Sequence, residues 1–163
     1  MSKTLILLML IALTAFSGDL KVFAIVRGKV EKVYVKEGQS VKKGQLLMEI
    51  DPSIYEARKH RLLGKKEEIK ARLWKVERDY NRLKELFERD LLAETRLEDQ
   101  KIRYDTLIAQ LKQVEGELRE VETLIRYTKI YAPAGGKVKE ITAPEGTYIN
   151  GRLNPQVVLI ISR

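Results

Sequence analysis

The feature that most constrains this 163-residue chain is a repeat within it. Gly28-Lys29-Val30, then Val33, then Glu37-Gly38 returns with the same internal spacing as Gly136-Lys137-Val138, Ile141 and Glu145-Gly146. Val41 and Ile149 extend the match at the same offset. A repeated unit of this size cannot bury an apolar face alone, so two copies in one chain are expected to pack on each other. Because they lie about a hundred positions apart, whatever separates them has to leave the core and come back.

Each copy reads as β-structure. Val22 to Val26, Lys29 to Val35 and Leu46 to Ile50 form the expected strands of the first, and Lys129 to Tyr131, Lys137 to Thr142 and Gln156 to Ile161 those of the second. Val and Ile dominate these stretches, and 29–35 is close to period two, which buries one face and leaves the charges wet. Glu37-Gly38 and Glu145-Gly146 mark turns, with Gly38 and Gly146 supplying positive φ at little steric cost. Together the copies are expected to close one flattened barrel.

The stretch between them is helical by every local test. Asp51-Pro52-Ser53 opens it, with Ser53 as the expected N-cap and Glu56 completing a capping box. Tyr55, Leu62, Ile69, Val76 and Leu83 recur every seventh residue, and Leu73, Tyr80 and Phe87 sit between them as the second line of a heptad seam. A second run repeats this with Leu97, Tyr104, Leu111, Leu118 and Ile125, joined by Leu107, Val114 and Val121. The register breaks over 89–94. Since the β-copies must meet, the helices fold back as an antiparallel hairpin, each arm roughly 50 Å long for about 35 residues. Gly64 and Gly116 fall on outward positions at matching heights; they are either tolerated surface glycines or a hinge or close-approach point for a neighbouring helix.

Charged residues make up 33% of the chain, more than the roughly 25% of ordinary globular domains, which suits a long solvated hairpin better than a thick core. The net charge of +8 is compatible with several anionic partners, but basic residues alternate with acidic ones along the helices and no base-stacking basic strand accompanies them, so nucleic acid is not expected as a partner. There is no cysteine, and the single histidine, His60, has no metal-ligating company. No phosphate-cradling glycine loop or nucleophile beside a base is present, so no enzyme, cofactor or metal site is expected. Lys3 followed by the apolar run Thr4 to Phe16 has the grammar of a signal peptide, with Ala15-Phe16-Ser17 placing cleavage before Gly18. The run is too short to span a bilayer comfortably, leaving a signal peptide or a short N-terminal anchor.

Three stretches resemble the HlyD-type membrane fusion proteins, the periplasmic adaptors of bacterial pumps: Gly28-Lys29-Val30 through Val35-Lys36-Glu37-Gly38-Gln39-Ser40-Val41-Lys42-Lys43-Gly44-Gln45-Leu46-Leu47; Ile50-Asp51-Pro52; and Tyr127-Thr128-Lys129-Ile130-Tyr131-Ala132-Pro133 with Gly136. The long loop 149–156 is most similar to the adaptor of the macrolide-type ABC exporter. The resemblance implies an α+β fold, a split lipoyl/biotinyl-like flattened β-barrel with an inserted antiparallel coiled-coil α-hairpin. Its expected parts are 1–18 as signal peptide or anchor, 19–51 as the first lipoyl-like half, 52–128 as the hairpin with its tip near 89–94, and 129–163 as the second half.

The resemblance further implies an adaptor of an efflux or secretion pump, in the periplasm and associated with the inner membrane. Its partners would be an inner-membrane ABC transporter and a TolC-type outer-membrane channel, with six subunits in a ring. Family tips meet the channel through an Arg, a Leu four residues on and a Ser seven later; here the pattern gives Arg82 and Leu86, but Ala93 stands where the serine is expected. Family members also continue into a β-barrel and a membrane-proximal domain. This sequence ends at Arg163, which fits a minimal adaptor, surfaces supplied by a partner, or a truncation. Two competing readings are an envelope coiled-coil spacer without a duct and a lipoyl or biotinyl carrier. The carrier would need an acceptor lysine at the turn that the helical insertion replaces.

Overall fold

A computed structural model describes residues 18–163, so the signal-peptide or anchor reading falls on residues that, Gly18 apart, lie outside the described ones. In chain order the elements are β1 (Asp19–Ala24), β2 (Arg27–Val33), β3 (Ser40–Val41), β4 (Leu46–Ile50), α1 (Ser53–Glu88), α2 (Glu94–Tyr127), β5 (Lys129–Tyr131), β6 (Gly136–Glu140), β7 (Tyr148–Asn150) and β8 (Gln156–Ser162). The strands form two four-stranded antiparallel sheets, ordered β1-β8-β6-β3 and β5-β4-β2-β7. Each sheet draws two strands from each copy of the repeat. Neither half has a sheet of its own.

The pairing is reciprocal. Gly28 lies opposite Ile149, and Val41 lies opposite Gly136, each pair joining a residue of one copy to the counterpart of its partner's partner. The Gly38 N–H donates to the Val138 carbonyl at 2.7 Å and the Gly146 N–H to the Val30 carbonyl at 2.9 Å. The Glu145 carboxylate accepts from the Val33 N–H at 2.9 Å, and Glu37 accepts from Ile141 at 3.0 Å. The repeated residues are thus the ones by which the copies hold each other. Leu47, Met48, Ile50, Ile149, Leu159 and Ile161 fill the space between the sheets, fully buried.

The strand limits differ from expectation in ways the hydrogen bonds explain. β1 begins earlier, at Asp19, because it runs the length of β8 with Asp19 opposite Ser162, and it stops at Ala24 rather than continuing to Val26. β2 and β6 end at Val33 and Glu140. There the two glutamates of the turns, not a strand neighbour, take the Val33 and Ile141 N–H groups. β3 and β7 were not expected; at two and three residues they are too short to show a period.

The hairpin starts with a different cap from the one expected. Pro52 occupies the N-cap position without a side-chain cap, and Asp51 Oδ1 accepts the Ser53 N–H at 2.9 Å. Ser53 therefore donates its backbone N–H to the capping bond, and the accepting side chain is that of Asp51. That contact holds the Asp51 carboxyl below the ordinary aspartate value.

The heptad seam is where the spacing put it except at Phe87, which lies exposed in the last turn of α1. Tyr55, Leu62 and Ile69 are buried against Val114, Leu118 and Val121 near the barrel. Farther out Leu73, Val76, Leu83 and Leu107 are half-buried, and the Tyr80 and Tyr104 rings stack at 5.5 Å. Lys59 and Lys66 fall on the seam's second line near the base and reach across to Glu122 and Glu115, each at 2.9 Å. Gln100 is buried in the seam, its Nε2 donating to the Val76 carbonyl at 3.1 Å. Both arms run unbroken through Gly64 and Gly116; a Cβ on Gly64 would meet nothing within 4 Å, and one on Gly116 only the end of Arg119.

Candidate functional site

The hairpin ends in a tight, self-capped tip. The Leu91 N–H donates to the Leu86 carbonyl at 2.9 Å and the Asp90 N–H to the Phe87 carbonyl at 2.9 Å, the paired bonds of a Schellman motif. Asp90 supplies the left-handed residue this motif needs, with φ of 57°. Leu91 remains 62% exposed, an apolar side chain held at the far end of the molecule. Ala93 precedes α2 with extended backbone and gives its helix no side-chain cap.

The three tip residues singled out by resemblance occupy different surroundings. Arg82 is exposed two turns before the end of α1 and makes no ion pair among the described residues. Leu86 is half-buried at the edge of the seam, and its carbonyl anchors the tip through Leu91. Ala93 is exposed on the returning side. The helix geometry puts Arg82 and Leu86 on neighbouring turns of one arm, while Ala93 lies across the turn from them.

Sequence reasoning passed over the residue that gives this arm its character. Trp74 is 65% exposed, with the Arg78 guanidinium over its ring at 4.8 Å. Trp74, Arg78, Asn81, Arg82 and Glu85 line a shallow groove of about 420 Å³ along the outer side of α1. An exposed indole stacked by a guanidinium offers both apolar area and charge, the combination found at the centres of protein interfaces. Its signal in the sequence was a tryptophan one step off the seam. The heptad reading had no use for it.

At the other end, Gly38 and Gly146 take φ of 82° and 87°, the left-handed backbone their turns require. Beside them the two clasping glutamates, Glu37 and Glu145, line one concave surface of about 580 Å³ together with Val33, Val35, Ile141 and Pro144. Among the described residues no cluster of three or more His, Asp or Glu side chains is placed to hold a metal, and no helix is long and apolar enough to cross a membrane.

Comparison with known proteins follows this architecture. The profile of the family described as "RND MFP, barrel-sandwich hybrid domain" matches residues 19–161. Multidrug resistance protein MdtA of Erwinia amylovora is 30% identical over 135 residues, covering 82% of this chain and 33% of MdtA. The chain spans about a third of the length of the curated relatives it matches. Among solved structures, the MacA-MexA chimera carrying the Pseudomonas aeruginosa MexA α-hairpin domain superposes with a TM-score of 0.55 at 30% identity, over 89% of this chain and 47% of the chimera. MacA from Actinobacillus actinomycetemcomitans superposes with a TM-score of 0.58 at 25% identity, over 90% of this chain and 53% of MacA.

Proposed function

The chain belongs to the barrel-sandwich hybrid domain family of the RND membrane fusion proteins, and from that premise we propose that it is a periplasmic adaptor subunit of a bacterial efflux or secretion pump. The observation that carries the proposal is the reciprocal clasp of the two repeat copies, which forces two arms of 36 and 34 residues to leave the barrel together and return. A barrel of this size gains nothing in its own stability from a rod reaching roughly 50 Å. Such a rod serves contact at a distance. The lipoyl-like barrel is the base, and the tip with Arg82, Leu86 and Ala93 is the part that meets an outer-membrane channel.

The proposed base partner is an inner-membrane transporter. An ABC transporter is the first candidate, because loop 149–156 has the macrolide-type length and MacA is among the structural neighbours. A pump of the RND class is the second reading, favoured by the description of the matched family. Copies of the chain are proposed to surround a duct as a ring, six by family analogy. The work is binding and transmission of conformational change, not catalysis.

Affinity purification of the chain from cross-linked envelopes is expected to bring down an inner-membrane transporter, whose class decides between the two readings. With Arg82→Ala/Leu86→Ala, transporter capture is expected to persist while export and capture of the outer-membrane channel fall by about tenfold or more, the loss of one charge-assisted bond and one apolar knob. Unchanged channel capture in that variant would remove these residues from the tip contact. Because Ala93 offers no hydroxyl, Ala93→Ser is expected to strengthen channel capture; weaker capture would mean that this tip is built for a different partner surface.

A further inference from the structure

At the foot of the hairpin, away from the tip, four arginines converge. Arg27 at the start of β2, Arg58 and Arg61 on the first turns of α1, and Arg152 in the loop after β7 line one hollow of about 300 Å³, together with Ile54 and Tyr55. Among the described residues no carboxylate lines it. Arg58 has one long ion pair, 3.7 Å to Glu120 on α2, and the other three guanidiniums have none among the described residues. Cations gathered this closely repel, and a chain normally separates them or sets an acid among them.

The hollow is also lined by a buried hydroxyl that has donor capacity to spare. Tyr55 is only 4% exposed, and its hydroxyl oxygen accepts the Arg27 N–H at 2.9 Å. That leaves the phenolic proton without an acceptor among the described residues. Ile54 places the N-terminal end of α1, with its positive end of the helix dipole, on the same hollow. Every charged side chain lining the hollow is a cation, and the missing complement is an anion with several acceptor oxygens. Guanidinium forks match the oxygens of a phosphate, and a hollow of this volume takes a headgroup-sized ligand rather than a folded surface.

We propose that this hollow binds a phosphate-bearing anion through Arg61, Arg152 and Tyr55. The site does not depend on the adaptor reading: it lies at the foot of the hairpin, opposite the tip. A phosphate can come from a soluble compound or from an anionic lipid headgroup, and the two are separable.

The full chain is titrated calorimetrically with inorganic pyrophosphate at fixed ionic strength, and separately floated with vesicles of phosphatidylglycerol or of phosphatidylcholine. Saturable pyrophosphate binding identifies the soluble source, and flotation with phosphatidylglycerol but not phosphatidylcholine identifies the lipid. In either case Arg61→Gln/Arg152→Gln is expected to weaken binding about tenfold or more, and Lys65→Gln/Lys75→Gln, which removes the same charge elsewhere on α1, to leave it nearly unchanged. Neither arginine makes an ion pair among the described residues, so the double variant is expected to keep its circular dichroism spectrum. Equal weakening in both double variants, no binding in any arm, or binding of polyglutamate in preference to pyrophosphate overturns the proposal.

Discussion

Glycine has opposite meanings at different positions of this chain, and the backbone decides which. Gly38 and Gly146 stand at φ of 82° and 87° with their N–H groups committed to the other copy of the repeat, so a Cβ there costs left-handed strain of about 1–2 kcal/mol. Gly136 has ordinary φ but no room, since a Cβ would run into the Ser162 carbonyl oxygen. Gly64 has ordinary helical backbone and open space, so the same substitution removes a flexible residue from a helix and gains about 0.5–1 kcal/mol. Urea denaturation is expected to order the variants Gly64→Ala above wild type, Gly38→Ala and Gly146→Ala below it, and Gly136→Ala lowest. At the tip, Asp90→Gly relieves the one non-glycine residue with positive φ among the described residues and is expected to raise the denaturation midpoint. The turn glycines were legible because the repeat presented each one twice, beside the same glutamate. The cap was not: Asp51 and Ser53 are both good capping residues two positions apart, and only the backbone path decides which side chain accepts the bond.

Between the arms, the seam shows why hairpin and strands differed in legibility. A heptad repeated five times overdetermines its register, so Tyr55, Leu62, Ile69, Val114, Leu118 and Val121 could all be assigned to the interior from spacing. Spacing did not announce Gln100, which occupies an apolar line yet finds the Val76 carbonyl, nor β3 and β7, visible only as matched partners of a repeat. The basal ladder of Lys59 with Glu122 and Lys66 with Glu115 gives the hairpin a pH dependence of definite sign. Each glutamate is held below the ordinary carboxyl value of 4.5, first by the hydrogen bond from its lysine and then by that lysine's charge. A carboxyl whose pKa is lower folded than unfolded stabilises the fold above the unfolded value, and that contribution disappears as pH falls through the folded one. The helical melting midpoint is therefore expected to be nearly level from pH 7 to about 5 and to fall below that. Lys59→Gln/Lys66→Gln is expected to melt lower at pH 7 and to show a shallower decline in acid. A decline as steep as that of wild type would assign the acid sensitivity to other carboxylates, such as Glu49, which Tyr34 and Lys129 hold low in the barrel.

Taken as one object, the molecule separates holding from reaching. Every reciprocal bond of the clasp lies in the barrel, and the hydrogen bonds joining hairpin to strand, from the Arg27 N–H to Tyr55 and from the Ile50 N–H to the Thr128 carbonyl, lie at the hairpin's base. The distal arms contribute nothing to that clasp. Their length is then a free variable of the fold and a fixed one of the function, if the rod exists to span a gap between partners. Deleting 70–83 from α1 and 98–111 from α2 removes two whole heptads from each arm, keeps the seam in register, and takes each interacting pair out together: Val76 with Gln100, Tyr80 with Tyr104. It leaves the basal ion ladder, the tip turn and the clasp in place. The shortened chain is expected to fold, with its maximum dimension in small-angle scattering reduced by about 21 Å. Its barrel should resist urea as wild type does, while export fails even with the tip carrying Leu86 and Ala93 intact. Because Arg82 leaves with the deleted segment, the matched control deletes one heptad from each arm, 70–76 and 105–111, which retains Arg82 and shortens the reach by about 10 Å. Export that falls in step with length, with Arg82 present, assigns the loss to distance. Export that survives the one-heptad deletion and fails only when Arg82 goes assigns it to the side chain.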